Sequence, residues 1–519
     1  MLKKTSLLTA FIAVTATTFA QSDAISKKYA QEINVESATK HLTILASDEF
    51  EGRDTGKPGG HKAAQYIADE FKKLGLEAPV NGSYFQPVDL IETSLKVSEF
   101  AINNKSYQVG EGFYMTATGE QTITADEIVF IGYGISNENY NDLKNIDIEN
   151  KVVLLINEGE PVNADGTYYV SGTKEVSAWS TQRNKRIQSV ASLNPKLIIA
   201  ASSQIDSFLE RFGDRLNRPR LMLREDYKEA PNSPAVAHVN FTLANELLKG
   251  KKIEDLQAKI NKSGKPQSTV IKSLFKTSYG IKTSDVKSDN VLGYLEGSDL
   301  KEEVVVISAH YDHVGIQNGE IYNGADDDGS GTTGVIEVAQ AFVKSKKDGN
   351  GPRRSILFLL VTAEEKGLMG SDYYTRNPIF PLENTVTDLN IDMIGRVDPP
   401  HEDNPNYIYL IGSDKLSSEL HAISETANQQ FTKLNLDYKY NDPNDPERIY
   451  YRSDHYNFAK HGIPVIFYFN GVHEDYHKPT DTVDKINFEL LVKRAKLVFH
   501  TAWEVANRDK KLVVDSNKK

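Results

Sequence analysis

Histidines and carboxylates are concentrated in the stretch HYDHVGIQNGEIYNGADDDGSG, residues 310–331. An apolar run, EEVVVISA, comes directly before it. Carboxylates packed this closely repel one another, so they must either point into water or be neutralised by a cation. Imidazole and carboxylate donors without a thiolate suit zinc or a similar divalent ion. The stretch therefore indicates a metal centre at the end of a buried strand.

An apolar strand followed by polar groups occurs at four places in the chain. The strands and their polar groups are VVVISAH at 304–310 with His310 and Asp312, SILFLLVTAEE at 355–365 with Glu364 and Glu365, VTDLNIDMIG at 386–395 with Asp392, and IPVIFYFNG at 463–471 with His473 and His477 after it. In open α/β sheets, ligands bind beyond the carboxyl ends of the strands. We therefore expect these groups, together with the three aspartates of the loop at 324–331, to meet at one edge of a sheet.

Several carboxylates converging on one place are difficult for one ion and natural for two. A carboxylate can bridge two metal ions about 3.5–4 Å apart. Glu364 and Glu365 are adjacent and point in different directions, so one can bind metal while the other accepts a proton from the attacking water. Taken singly, each signal also fits a solvated turn, a helix N-cap or a surface histidine. Their occurrence at successive strand ends favours the metal centre.

From residue 276 onward, strands alternate with helices predicted at 332–345, near 416–431 and at about 487–507. Continuous apolar strands in such an alternation predict an α/β fold, with a mostly parallel sheet flanked by helices on both faces. Residues 35–76 predict a helix, a glycine-rich loop and a second helix whose C-cap is Gly75.

The pattern changes between residues 95 and 275. Short β-type runs, among them KVVLLI at 151–156 and KLIIAAS at 196–202, are separated by polar turns, and no acid cluster stands beside an apolar strand. We predict an inserted β-rich domain at 95–275 within a discontinuous domain at 21–94 and 276–510. The 519 residues are long enough for two or three domains. The lysine-rich end, 511–519, is predicted to be a flexible tail.

The first residues, MLKKTSLLTAFIAVTATTFA, have a positive start, an apolar centre and a small-residue end. This pattern predicts a signal peptide at 1–20, export to the periplasm or the medium, and no membrane attachment after cleavage. The chain has no cysteine, which excludes disulfides and thiolate chemistry. A net charge of -12 without a basic block argues against a nucleic-acid partner. The sequence leaves the oligomeric state open.

Six short motifs give the chain a family resemblance. They are H-x-D, G-A-D-D-x-x-S-G, A-E-E-x-G-L-x-G-S, N-x-D-M, S-D-H and Y-H-x-P-x-D-T. The set resembles the di-zinc aminopeptidase family, which also contains glutamate carboxypeptidases and the transferrin-receptor ectodomain. The similarity covers about 276–510, with a weaker part at 36–76. It implies a three-layer sandwich of the zinc-aminopeptidase type.

The resemblance implies a role for each motif residue. His310 and Asp392 are implied to bind one zinc ion, Glu365 and His477 the other, and Asp327 to bridge the two. Glu364 is implied as general base, and Tyr450, with Tyr451 as its rival, as the group that stabilises the oxyanion. Asp312 is implied to orient His310, while Asp328, Ser453 and Asp454 support the site. The peptide bond Asp327–Asp328 is expected to be cis, and His313 and His473 are expected to lie outside the ligand set.

The implied activity is that of a secreted aminopeptidase, with two zinc ions per chain, acting on peptides with a free N-terminus. Because all five ligand positions are filled, a receptor-like member and a one-zinc glutaminyl cyclase are disfavoured. A carboxypeptidase with the same metals stays open, since Arg396 or Arg452 could bind a C-terminal carboxylate. A catalytically silent binding protein is the alternative of another class. The insert resembles a protease-associated domain through FIGYGI, IENKVVLLI and KLIIAA.

Overall fold

The computed structural model describes residues 24–216, 218–228 and 233–515. The predicted signal peptide at 1–20 and residues 516–519 of the predicted tail lie outside these ranges. The chain forms two compact units. The split unit consists of the described residues up to Leu90 and from Val286 onward, and the inserted unit is Ile91–Asp285. The sequence-based boundaries for the insert were 95 and 275.

A mixed sheet organises the split unit. In the order in which they pair, its strands are Asn435–Asp437, Tyr407–Ile411, Val465–Phe469, Thr385–Ile391, Leu300–His310, Arg354–Val361 and the last part of Thr269–Leu295. The strands from Val465–Phe469 to Arg354–Val361 all run parallel. The pairings that flank them, with Tyr407–Ile411 and with 291–295, are antiparallel. The predicted α/β class with a mostly parallel sheet is confirmed.

Both faces of this sheet are covered, because alternate residues of each strand enter different cores. Along Leu300–His310, Val305, Ile307 and Ala309 face one core. Val304 and Val306 face the other. All five side chains are buried, as expected for a parallel strand between two helical layers.

Helices form the two outer layers. Those of the split unit are Val35–Leu45, Pro58–Leu74, Gly331–Lys347, Met369–Arg376, Ser418–Ala427, His455–Ala459 and Phe488–Asn507. Pro58 stands in the first turn of its helix, where its missing N–H costs nothing. Gly75 ends the same helix in the left-handed conformation with φ 87, as predicted. One face of this helix, including Ile67 and Phe71, is buried in the core that also receives Val305.

The inserted unit has a hydrophobic core of its own. Its strands are the last part of Phe85–Ile102, then Lys105–Ser106, Phe113–Thr116, Gln121–Phe130, Val152–Ile156, Leu197–Ala201, Arg220–Leu223, Ala235–Val239 and the first part of Thr269–Leu295. Its helices are Ala178–Thr181, Arg183–Ala191, Ile205–Leu216, Phe241–Leu247 and Ile253–Ser263. Three successive pairings, from Gln121–Phe130 to Ala235–Val239, are parallel. The likeness to a protease-associated domain stays a prediction.

Residues 511–515, the first part of the predicted tail, contact the split unit through Leu512 and Asp515. Leu512 is buried in the large core of the split unit. The Asp515 carboxylate accepts hydrogen bonds from the backbone N–H (2.9 Å) and the hydroxyl (2.6 Å) of Ser418, at the start of a helix. An acidic group there satisfies an N–H that has no partner within the helix. Among the described residues, no helix has the length and apolar character required to cross a membrane.

Candidate metal centre

The four parallel strands bring their carboxyl ends to one edge of the sheet, as predicted. His310 is the last residue of Leu300–His310, and Asp392 directly follows Thr385–Ile391. Glu364 and Glu365 follow Arg354–Val361 after a turn in which Ala363 has φ 58. The loop after Val465–Phe469 supplies His477. The predicted ligands are spread over a segment of 168 residues, 310 to 477, and the parallel topology brings them together at one place.

Asp327 stands at the centre of this group. Its Oδ1 lies 3.4 Å from Nε2 of His310, and its Oδ2 lies 3.0 Å from Nε2 of His477. The two oxygens of one carboxylate therefore face two different histidines. The peptide bond between Asp327 and Asp328 is cis, as the resemblance implied.

The other predicted ligands fall into two clusters on either side of Asp327. The His310 site adds Asp392, whose Oδ1 is 3.7 Å from Nε2 of His310. The Glu365 site adds His477, whose Nε2 is 3.1 Å from Oε2 of Glu365. Glu364 lies beside the His310 site, with Oε2 3.9 Å from the same Nε2. The structure thus brings the five predicted ligands and the predicted base together.

These donors fit zinc. Donors held about 2.0–2.1 Å from one tetrahedral ion are separated by about 3.3 Å from each other. The distances between donors given above, 3.0 to 3.7 Å, bracket that value. Among the described residues, Oδ2 of Asp327 and Oε1 of Glu365 are buried without a hydrogen-bond partner. Buried carboxylate oxygens are normally satisfied, and a bound cation would satisfy both.

Charges within the cluster decide which acids stay ionised. Burial alone would raise the pKa of Asp327, but His313, His310 and His477 hold it well below its ordinary value. At Glu365, burial and Asp327 act to raise the pKa, but the neighbouring imidazoles of His313 and His477 lower it to about 2. Burial raises the pKa of Glu364 well above its ordinary value, and the neighbouring carboxylates raise it further. The cluster therefore contains ionised ligand carboxylates beside a carboxyl group with a high proton affinity.

Asp312 supports the site in a different way from the one predicted. The backbone carbonyl of Asp312, at 3.0 Å, is the hydrogen-bond partner of Nδ1 of His310, whereas the carboxylate lies 3.8 Å away. The carboxylate accepts hydrogen bonds from the hydroxyl of Thr55 (3.0 Å) and the backbone N–H of Glu364 (3.1 Å). Asp312 thus orients His310 through its main chain and fixes the backbone of Glu364 through its side chain.

The other three supporting residues tie the loops of the site together. Asp328 accepts hydrogen bonds from the backbone N–H groups of Gly331 and Met393, both at 2.9 Å, and of His310 at 3.3 Å. Ser453 donates to Oδ2 of Asp392 at 2.7 Å, which leaves Oδ1 for a cation. Asp454 is buried and accepts from the hydroxyl of Ser371 at 2.5 Å. All three residues hydrogen-bond within the loops that surround the predicted ligands.

Arg53 supports the loops that carry the predicted ligands by hydrogen bonds to their backbone, and the sequence analysis did not identify it. Its buried guanidinium donates hydrogen bonds to five backbone carbonyls, those of Leu45, Tyr311, Asn323, Gly324 and Asp327, at 2.6 to 3.3 Å. The preceding Gly52 has φ 66, and a Cβ there would lie 2.3 Å from the carbonyl oxygen of Tyr322. Only glycine allows this close approach, which places Arg53 against the loop that carries Asp327.

Replacing Arg53 by methionine should lower both stability and zinc affinity. Five buried carbonyls lose their donor, so we expect the free energy of unfolding to fall by about 3–5 kcal/mol in urea titrations. Zinc affinity should fall by about 10–100-fold, because the loop that carries Asp327 is no longer fixed. The matched control is Arg354→Met. Arg354 is buried and donates to the carbonyls of Val505 and Arg508 at the opposite end of a strand. If Arg53→Met bound zinc as tightly as Arg354→Met does, the role of Arg53 at the site would be contradicted.

The structure does not bring Tyr450 to the site. Its ring packs beside Gly412, with the Lys415 amino group 4.8 Å from the ring centroid. A pocket with about 370 Å³ of empty space adjoins the metal ligands and is lined by His310, Asp327, Glu364, Asp392, Met393, Ile449, Arg452, Phe467, Phe469, Val472 and Tyr476. The tyrosine in this lining is Tyr476, which directly precedes a predicted ligand and stacks on it with ring centroids 3.9 Å apart. Neither Tyr450 nor its rival Tyr451 lines the pocket.

Comparisons with known proteins agree with the geometry. The α/β fold and the clustered donors are those of a candidate metal-binding domain. Residues 290–502 match the family model described as Peptidase family M28, in agreement with the resemblance drawn from the motifs.

Curated relatives match the same part of the chain. A protein of Arthroderma otae called probable leucine aminopeptidase is 32% identical over 212 residues, which cover 40% of this chain and 55% of that protein. Aminopeptidase YwaD of Bacillus subtilis is 27% identical over 234 residues, covering 43% and 46%. The chain thus spans about half the length of the curated relatives it matches.

A solved structure shares the fold over nearly the whole chain. It is the aminopeptidase from Aneurinibacillus sp. strain AM-1, with a TM-score of 0.51 and 19% identity. The similarity covers 94% of this chain and 98% of that one, and it concerns the fold.

Proposed function

We propose that the protein is an aminopeptidase that uses two zinc ions to remove the first residue from peptides. The observation that carries the proposal is Asp327, whose two oxygens face two donor clusters while Glu364 stands beside one of them. His310 and Asp392 would hold one ion, and Glu365 and His477 the other. Two zinc ions supply Lewis acidity toward the scissile carbonyl and make a nearby water more acidic.

Glu364 carries the proton transfers. Its carboxylate takes a proton from the attacking water as the water oxygen bonds to the carbonyl carbon. When the C–N bond breaks, the protonated Glu364 gives this proton to the leaving amine. Burial among other carboxylates raises its pKa, so Glu364 binds the proton firmly enough to carry it between the two steps. The hydrogen bond from its backbone N–H to Asp312 keeps it in place.

The pocket favours a peptide with an apolar first residue. Met393, Ile449, Phe467, Phe469 and Val472 form an apolar wall beside the ligands. Burial of an aliphatic side chain against such a wall contributes about 1.5–3 kcal/mol. The carboxylates on the other side are complementary to a free α-amino group. Relatives called probable leucine aminopeptidase support this choice of substrate.

The test is a panel of aminoacyl anilides with free and acetylated N-termini, together with a zinc analysis. We expect about two zinc ions per chain, hydrolysis of leucyl anilide, and no hydrolysis of its acetylated form. Hydrolysis only of peptides with a free C-terminus would point to a carboxypeptidase, for which Arg452 in the pocket lining provides the cation. Arg396 is less suited, because it pairs with Asp475 at 3.0 Å. A chain without zinc and without turnover would be a binding protein.

Replacing Tyr476 by phenylalanine should lower kcat by about 10²-fold with little change in KM, because one hydrogen-bond donor to the developing oxyanion is lost. Tyr476 lines the pocket, and its hydroxyl is kept protonated because burial and four nearby carboxylates raise its pKa. Steady-state kinetics on leucyl anilide measure the effect. The same assay on Tyr450→Phe tests the rival assignment, since an equal loss there would return the role to Tyr450.

Export forms part of the proposal and rests on residues 1–20. Expression of the full chain in a bacterial host followed by cell fractionation tests it. The mature protein should appear outside the cytoplasm, and mass spectrometry should find its N-terminus close to residue 21.

A further inference from the structure

His313 belongs to the Glu365 site, although its motif position gave it no role. It is fully buried, and its Nδ1 lies 2.8 Å from Oε1 of Glu365 and 3.7 Å from Oδ2 of Asp327. Its ring centroid is 5.7 Å from that of His477. His313 is therefore a second imidazole against the same two carboxylates.

The contact between His313 and Glu365 is short but is not aligned as a hydrogen bond. Among the described residues, both ring nitrogens of His313, Oε1 of Glu365 and Oδ2 of Asp327 have no hydrogen-bond partner. Unpartnered buried polar atoms are rare in folded proteins, and here they converge. One donor from each of the three residues can be chosen so that all lie within 4.8 Å of one another. These three groups face one another without forming hydrogen bonds, which is the arrangement that ligands of one cation would have.

The fold holds the His313 ring in this position. A Cβ on Gly324 would lie 2.5 Å from Cγ and Cδ2 of His313, so the ring occupies space that only glycine leaves open. The backbone N–H of His313 donates to the carbonyl of Arg53 at 3.3 Å. The side chain thus sits in a closely fitted place beside the bridging carboxylate.

We infer that His313 is a fourth protein ligand of the metal ion in the Glu365 site. This inference rests on the proposed two-zinc function. Its donor separations of 2.8 and 3.7 Å lie on either side of the about 3.3 Å expected around a tetrahedral zinc ion. The Glu365 site then has His313, Asp327, Glu365 and His477, whereas the His310 site has His310, Asp327 and Asp392.

The two sites therefore differ in what they can do. Zinc sites with four protein ligands are closed and hold their metal firmly, whereas sites with three keep a position open for substrate or water. The Glu365 site fills first and retains its ion. The His310 site, which is next to Glu364 and the pocket, is the one that exchanges its ion and receives the substrate carbonyl.

Stepwise zinc titration of the metal-stripped full chain against a chromophoric chelator tests the inference. We expect the wild type to bind two zinc ions in separate steps. His313→Asn should weaken the tighter step by about 10–100-fold and leave the other unchanged. The matched control is His473→Asn, since His473 is also buried near the site but pairs with Asp326 at 3.2 Å. Unchanged affinities in His313→Asn would overturn the inference.

A second measurement uses the wild type and does not depend on a folded variant. X-ray absorption of the chain loaded with one equivalent of zinc counts its imidazole ligands. Two imidazoles are expected, from His313 and His477, and one imidazole would overturn the inference. A wild type that binds fewer than two zinc ions in total would instead contradict the proposed function. The two failures are therefore distinguishable.

Discussion

Glu364→Gln should reduce kcat/KM for leucyl anilide by about 10²–10⁴-fold while both zinc ions stay bound. A glutamine side chain has almost the same shape as glutamate but cannot accept the proton of the attacking water. The substitution does not affect the hydrogen bond from the backbone N–H of residue 364 to the Asp312 carboxylate. The turn that carries the residue should therefore keep its conformation. Anilide kinetics and zinc analysis on the same protein sample measure both quantities.

The adjacent residue provides the sharpest control. Glu365→Gln removes a ligand carboxylate 3.1 Å from His477, so this variant should lose zinc as well as activity. Glu302→Gln changes an exposed residue at the opposite end of the His310 strand and should change neither. Full activity in Glu364→Gln with two zinc ions bound would show that another group accepts the proton.

The sequence was sufficient to predict the sheet and the ligand clusters, because both follow from local patterns. Apolar runs that alternate with helices favour parallel strands, and parallel strands that end in polar groups present those groups at one edge of the sheet. That argument places His310, Glu365, Asp392 and His477 together without any long-range information. The resemblance added the division of roles between Glu364 and Glu365.

The residues that support the site could not be predicted in the same way. Arg53 reaches Gly324 and Asp327 across more than 270 positions, and it does so from a turn in which Arg53 itself has φ 52. No periodicity in the sequence reports such a turn. The carbonyl of Asp312, rather than its carboxylate, faces His310 because the strand ends there and the backbone changes direction. A side-chain pattern does not reveal a main-chain contact.

The sequence also could not decide whether Tyr450 or Tyr476 enters the pocket, because both lie in loops. Tyr450 and Tyr476 both lie near motif residues, S-D-H in one case and the His477 motif in the other. Which of them enters the pocket depends on how each loop leaves its neighbouring element. The 3₁₀ turn Ile449–Tyr451 directs Ile449 toward the pocket lining and leaves Tyr450 beside Lys415. Side-chain direction in an irregular segment follows from packing, which the sequence alone did not specify.

Asp327→Asn should abolish the binding of both metal ions, a larger effect than the loss of any other single ligand. Each of its oxygens faces a different site, so an amide, with one oxygen and no charge, cannot serve both. At free zinc 100-fold above Kd, each occupied site stabilises the folded chain by about 2.7 kcal/mol. We therefore expect zinc to raise the Tm of the wild type but not that of Asp327→Asn.

Asp388→Asn is the matched control for this change. Asp388 is a fully buried acid on the strand that leads to Asp392, and it accepts a hydrogen bond from Ser308 at 2.7 Å. Burial raises its pKa well above the ordinary value, so a neutral asparagine there resembles the protonated acid. This variant should bind two zinc ions and show the wild-type gain in Tm. If Asp327→Asn also bound two zinc ions, the two sites would not share a ligand, and each would have to be completed by its own histidines and carboxylates.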